Sequence, residues 1–150
     1  MKKFIAILAL GLMFCNISIA DGLRVVDGDT IVLNGEKIRF SGIDTPELKQ
    51  TCMNSDEKVF CGKSAKMLLI KKIGNKTPQC ISEGKDAYKI TLAECFINGE
   101  SLSVFLVRSG YAFAYRKYSD KFIKDEEFAK ENKLGIWTMK FQYPWDFRKS

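Results

Sequence analysis

The chain contains no histidine, and its cysteines never fall into a Cys-x-x-Cys pair. The tight ligand spacing on which zinc sites are built is therefore missing. Long apolar runs are scarce as well. The longest, residues 4–14, falls well short of the roughly 20 residues that a bilayer-spanning helix needs. No internal repeat, low-complexity linker or second apolar-rich block interrupts the sequence. In 150 residues there is room for one core of ordinary size. Charge of one sign is not dominant either: Lys and Arg number 24 against 18 Asp and Glu. A mild positive excess suits polyanions, but it also describes ordinary solubilising surface.

What is present begins with Lys2 and Lys3, the apolar run, and a small-x-small pattern at Ser18-Ile19-Ala20. This reads as a secretory signal over 1–20, cut after Ala20. The rival readings are a membrane anchor, for which the run is too short, and lipid attachment at Cys15, before which Phe14 is too bulky. The expectation is a single domain over 21–150, periplasmic or secreted and free of the membrane after cleavage. Cys52, Cys61, Cys80 and Cys95 remain in that domain. An even count in an exported chain indicates disulfides, and four cysteines permit three pairings. Proximity selects Cys52 with Cys61 and Cys80 with Cys95. The second pair closes a hairpin and restricts the unfolded chain by about 3 kcal/mol.

Short β-rich runs at 23–26, 30–33 and 36–40 surround Asn34-Gly35, a strong tight-turn signal between strands. Two further strands are predicted at 79–82 and 90–97. Apolar spacing and stop glycines predict helices over 62–73, 101–109 and 119–133, the last with Ser119 as its N-cap. The tail, Tyr143-Pro144-Trp145, reads as aromatic packing against the body. Five strands and about three helices give a mainly β, α+β domain, either a closed or partly open antiparallel barrel or an open sheet.

The acids are not spread evenly over these elements. Asp27 and Asp29 precede the second strand, and Asp44 and Glu47 follow the third, so all four fall at the end opposite the Asn34-Gly35 turn. Asp and Gly are common turn residues, and each acid taken singly reads as a turn. Brought together, however, the carboxylates would repel and raise one another's pKa unless a cation sat among them. Calcium accepts carboxylate, carbonyl and water oxygens and suits such a set, at a loose affinity of about 10⁻⁴–10⁻³ M. Arg39, on the strand leading to Asp44, could direct its planar fork at a phosphate held by the same ion, which lysine cannot imitate.

Asp27-Gly28-Asp29-Thr30, the stretch Ile38 to Glu47, Leu106 to Tyr115 and Gly135-Ile136-Trp137 together resemble the thermonuclease, or staphylococcal nuclease-like, family. The resemblance runs from about Leu23 to Trp137, and the closing Pro-Trp-Asp-Phe-Arg-Lys is similar to the tail of exported bacterial members. It implies an OB-fold five-stranded antiparallel barrel and calcium-dependent hydrolysis of DNA or RNA phosphodiesters by a monomer. By the same resemblance Asp29 and Asp44 match the calcium carboxylates and Thr45 the backbone carbonyl ligand. Glu47 matches the carboxylate that handles the attacking water, and Arg39 the first of two arginines on the scissile phosphate. Tyr88 and Tyr115 match tyrosines lining the nucleotide pocket.

The second arginine is missing: the matching position is Ile90, preceded by Lys89 where the family has glycine. Loss of one transition-state donor commonly costs about 10²–10³ in rate, so weakened catalysis is expected. Lys89 could compensate only if the backbone there is not regular strand, because a one-residue offset turns the side chain to the other face. Arg116 and Lys117 are further candidates. Ile90 also keeps open an OB module that binds single strands without cutting them, or an envelope protein that has lost both roles.

Overall fold

A computed structural model describes residues 22–150; the expected signal segment, 1–20, lies outside the described residues. Strand β1 (Leu23–Val25) pairs antiparallel with β2 (Thr30–Leu33), and β2 with β3 (Glu36–Phe40). The turn between β2 and β3 is the one the sequence predicts. Asn34 and Gly35 both take positive φ, 50° and 81°, which the twist of a two-residue hairpin demands.

The chain then makes β4 (Ile43–Asp44), a small hairpin of β5 (Cys52–Asn54) and β6 (Glu57–Val59), and helix α1 (Cys61–Ile73). Next come the long hairpin of β7 (Gln79–Lys85) and β8 (Thr91–Ile97), the short β9 (Glu100–Ser101) and helix α2 (Leu102–Arg108). The last segment holds β10 (Phe113–Ala114), helix α3 (Ile123–Glu131), a 3-10 turn at Gly135–Thr138 and the single-turn helix α4 (Pro144–Phe147). The main sheet runs β1-β2-β3-β8-β7 with β9 added on β8. Every neighbouring pair in that sheet is antiparallel except β3 with β8, which is parallel. The result is a mixed half-barrel with helices packed on it, the expected α+β fold of the OB type. β4 pairs with β10 outside this sheet.

Alternation along the strands builds the core. Ile31, Ile38, Phe40, Ala93, Cys95 and Ile97 point inward and are buried. Against them pack Ala65, Leu69 and Ile73 of α1 and Leu102, Leu106 and Val107 of α2, residues at helical spacing along one face of each helix. Ser101 caps α2, its hydroxyl accepting from Val104 N–H at 3.2 Å. A second cluster is aromatic. Phe113, wholly buried, is ringed by Trp137, Phe141, Tyr143 and Trp145, so the tail packs as expected.

Both disulfides join the predicted partners, Cys52–Cys61 and Cys80–Cys95. Cys80 faces Cys95 directly in the β7–β8 register. Several boundaries differ from the sequence expectation, among them the end of β7, at Lys85 and not 82. Helix α3 starts at Ile123, not at Ser119: the Ser119 hydroxyl accepts from Lys121 N–H at 3.1 Å in a separate turn, which lets Phe122 enter the core at 2% exposure. Strand β8 starts at Thr91, because Ile90 belongs to the loop described below. Among the described residues no helix is long and apolar enough to cross a membrane.

Candidate active site

The Asp27–Thr30 turn is fixed by its own polar atoms. Asp27 Oδ1 accepts from Asp29 N–H at 3.1 Å, and the Thr30 hydroxyl donates to Asp29 Oδ1 at 2.9 Å. The other oxygen, Asp29 Oδ2, accepts from Thr45 N–H at 3.1 Å, which joins the β1–β2 turn to the segment after β4. Gly28 permits this approach: a Cβ there would stand 2.8 Å from the Thr45 hydroxyl oxygen. Asp44, opposite Phe113 in the β4–β10 pair, brings a second carboxylate that is completely buried.

Arg39 lies between the two acids. Its Nη2 is 2.9 Å from Asp44 Oδ1 and 3.5 Å from Asp29 Oδ2, while about a third of its side chain, 35%, remains exposed. Glu47 sits on a turn that the buried Gln50 organises. Gln50 Oε1 accepts from Glu47 N–H at 3.2 Å, and Gln50 N–H donates to the Glu47 carbonyl at 2.7 Å. The Gln50 amide also donates to the carbonyl of Gln142 in the tail at 2.6 Å.

One residue at this site was missed by sequence reasoning. Arg148, just beyond α4, donates from Nη2 to Asp44 Oδ2 at 2.7 Å and from Nη1 to Asp44 Oδ1 at 3.1 Å and Glu47 Oε1 at 2.8 Å. Asp29, Asp44 and Glu47 are thereby connected through two guanidiniums. The signal is in the tail, where an arginine follows the aromatic run.

Burial sets the electrostatics. It pushes the Asp29 carboxyl up to about 6, against the opposing pull of Arg39. It also raises Asp44, against its hydrogen bonds from Arg148, and the charge of Asp29 adds to that rise. Arg39 is held more firmly protonated by Asp29. Two desolvated carboxylates, Asp29 raised further by Asp27 and Asp44 by Asp29, accommodate a further cation, and their all-oxygen chemistry fits calcium better than a softer metal. Among the described residues no group of three or more acidic, His or Cys side chains forms a metal cage. An ion here would take two carboxylates and complete its shell with carbonyl and water oxygens.

A stability signature follows for the metal-free protein. Asp29 keeps its proton to higher pH when folded than when unfolded, so its contribution is full below about pH 3.8 and is lost as pH rises through about 6. The stability of wild type relative to Asp29→Asn, from urea denaturation in EDTA, is expected to fall by about 2–3 kcal/mol across that window. A difference that is flat with pH would contradict it.

Gly62, in the first turn of α1, presses on the Glu47 loop. A Cβ there would lie 1.8 Å from the Glu47 carbonyl oxygen, so the loop or the helix would have to move. Gly62→Ala is expected to lower the thermal midpoint by several degrees, with α1 still formed by circular dichroism, because the Glu47 loop or the helix has to shift. An unchanged midpoint would contradict this.

The remaining predicted residues make no hydrogen bond or ion pair with Asp29, Asp44 or Glu47 among the described residues. Tyr88 is 85% exposed on the β7–β8 loop, where Asp86 Oδ1 accepts from the N–H groups of Tyr88 and Ile90, each at 2.9 Å. Lys89 occupies the left-handed region, φ 63°, in that loop and not in regular strand. It forms no ion pair with Asp29, Asp44 or Glu47 among the described residues. Tyr115 stacks on Trp145 at 5.5 Å and 2°. Arg116 is paired with Glu126 at 2.8 Å, and the Lys117 ammonium lies over the Tyr118 ring.

The same stretch of chain is matched in known proteins. The family described as staphylococcal nuclease homologue matches residues 37–139. Succinoglycan biosynthesis protein ExoI of Rhizobium meliloti is 31% identical over 118 residues, covering 75% of this chain and 61% of that protein. An uncharacterized endonuclease of Haemophilus influenzae is 27% identical over 123 residues, covering 77% and 64%. Endonuclease YncB of Bacillus subtilis is 31% identical over 127 residues, covering 77% and 59%. The chain spans about three fifths of the length of these relatives. Since the match takes in Arg39, Asp44 and Glu47 together with most of the half-barrel that aligns them, the chain belongs to the staphylococcal nuclease homologue family.

Proposed function

We propose that the mature chain is an exported, calcium-dependent nuclease that hydrolyses phosphodiester bonds of DNA or RNA as a monomer. The observation that carries this reading is the convergence of Asp29, Asp44 and Glu47 with the Arg39 guanidinium set between the two buried acids. A surface with only a structural role has little reason to desolvate two carboxylates side by side. The relatives named as endonucleases support the reaction class. The two disulfides support an oxidising compartment.

In this reading Asp29, Asp44 and the backbone carbonyl of Thr45 would hold calcium. When bound, the ion supplies Lewis-acid polarisation of a phosphoryl oxygen. Glu47, with 41% of its side chain exposed, orients the attacking water and takes its proton. Arg39 donates to the phosphoryl oxygens, where charge builds as the new P–O bond forms and the old one breaks. Tyr115, Tyr88 and Lys89 would meet the nucleotide on either side, the last two from an exposed loop.

Release of acid-soluble nucleotides from single-stranded DNA tests the reading. Calcium is expected to support release and EDTA to stop it. Glu47→Ala is expected to lower the rate by about 10²–10⁴, the usual share of a general base. Equal rates under all three conditions would reject it. Ile90 favours the binding module instead, and that reading predicts salt-sensitive DNA binding with no release in calcium.

A further inference from the structure

We propose that Arg148 is a second catalytic arginine, delivered to the scissile phosphate by the C-terminal tail. The inference rests on the nuclease reading and adds to it a residue from outside the stretch that the family model matches, 37–139. Its basis is geometric. Arg148 and Arg39 both donate to Asp44 Oδ1, at 3.1 and 2.9 Å, so two planar forks converge on one small oxyanion. Each arginine side chain remains 35% exposed. Three of the five guanidinium N–H donors of Arg148 at most are used here, which leaves others to face a ligand.

Arg148 is not a loose end. Trp145 stacks on Tyr143 at 4.6 Å and 10°, and on Tyr115 at 5.5 Å and 2°. Met53 and Lys140 exchange two backbone hydrogen bonds of 2.9 Å, tying the tail to β5. Gln50, which shapes the Glu47 turn, holds the Gln142 carbonyl. The tail is therefore keyed to the same loop that carries Glu47.

Charge accounts for the need. The carboxylates of Asp29, Asp44 and Glu47 are opposed by two guanidiniums. A bound divalent cation would leave one positive charge for the single negative charge of a phosphodiester, and without Arg148 no surplus would remain. Asp44, if it held a cation, would have fewer lone pairs left for Arg148, whose N–H donors would then be free for a phosphate. Other candidates are turned elsewhere: Lys89 is out on its loop, and Arg116 is committed to Glu126. Ile90 lies two residues before Leu92, which pairs with Arg39, yet it brings no donor. A cavity of about 450 Å³, bordered by Tyr115, Arg116, Lys117, Trp145 and Lys149, opens at Arg148. It offers a basic, aromatic approach for the strand.

The test compares wild type, Arg148→Ala and Arg148→Lys for kcat, KM and thermal midpoint. A second arm measures oligonucleotide binding against salt in calcium, in a Glu47→Gln background that removes cleavage. Arg148→Ala is expected to lower kcat by about 10²–10³ with KM changed less than tenfold, and free guanidinium to restore part of the loss. Arg148→Lys is expected to recover tenfold at most, lacking the fork. The log–log salt slope should fall by about one phosphate contact. Unchanged or increased kcat in Arg148→Ala would overturn the proposal, the increase marking Arg148 as a plug over the acids. A loss of kcat that follows loss of folded protein, with the salt slope unchanged, would also overturn it. If wild type does not cut in calcium, the nuclease reading fails by itself. Arg148 would then stand as a phosphate contact if the slope still falls, and be rejected if it does not.

Discussion

If the proposed calcium-dependent nuclease reading holds, Arg39→Lys is expected to lower cleavage by about 10²–10³-fold, the usual effect of removing one preorganised donor from a transition state, and to leave the fold in place. The size of the effect comes from where β3 puts the side chain. Its flanking residues Ile38 and Phe40 are buried in the core, and the strand is paired on both sides, by β2 and by β8. The backbone under Arg39 therefore cannot drift. Nη2 is spent on Asp44 and Asp29, and with 35% of the side chain exposed the other donors of the planar fork stay available. An ammonium in its place keeps the charge but has one nitrogen, so it must choose between the acids and the phosphate. Kinetics with single-stranded DNA check this, with kcat and not KM carrying the loss. Activity within threefold of wild type would remove Arg39 from the chemistry.

Phe113→Ala is expected to cost about 3–5 kcal/mol, the range for emptying a buried phenyl site. Phe113 is wholly buried, and four aromatic rings lie within 5.2–6.1 Å of its own. Collapse into the void is hindered because these rings also stack on one another and because the Cys52–Cys61 disulfide adjoins the cluster. The consequence reaches the site, since Phe113 pairs with Asp44 in the β4–β10 ladder and packs edge-on against Trp145 of α4, which Arg148 follows. Urea denaturation should show the loss of stability, and cleavage at low temperature should fall by more than the unfolded fraction explains. Phe128→Ala, at a site 37% exposed, serves as the comparison with a small effect. A cost below about 1 kcal/mol at Phe113 would mean that the tail packs without it.

How much of this was legible in the sequence depended on distance along the chain. The Asn34-Gly35 hairpin, the face of α1 and both disulfides are decided by residues close in sequence, and the structure keeps them. Asp29, Asp44 and Glu47 converge because one hairpin and one turn separate them, so strand ends alone place them together. Arg148 lies 104 residues from Asp44, and its position depends on a stack of rings drawn from β10, the 3-10 turn and the tail. No local pattern encodes that. The start of α3 was misplaced for a similar reason: Ser119 is a good cap by type, but burying Phe122 has the stronger claim on the backbone. At Lys89 the strand expectation gave way because Asp86 accepts two backbone N–H groups and closes a loop, a side-chain competition with the sheet ladder.

Titration calorimetry of calcium into the mature protein, alongside Asp29→Asn and Asp44→Asn, tests the central claim most directly. One ion is expected to bind with a dissociation constant on the order of 10⁻⁴–10⁻³ M, and each substitution should abolish the heat while leaving the protein folded. Binding that persists unchanged in both variants would place the ion elsewhere and contradict the account.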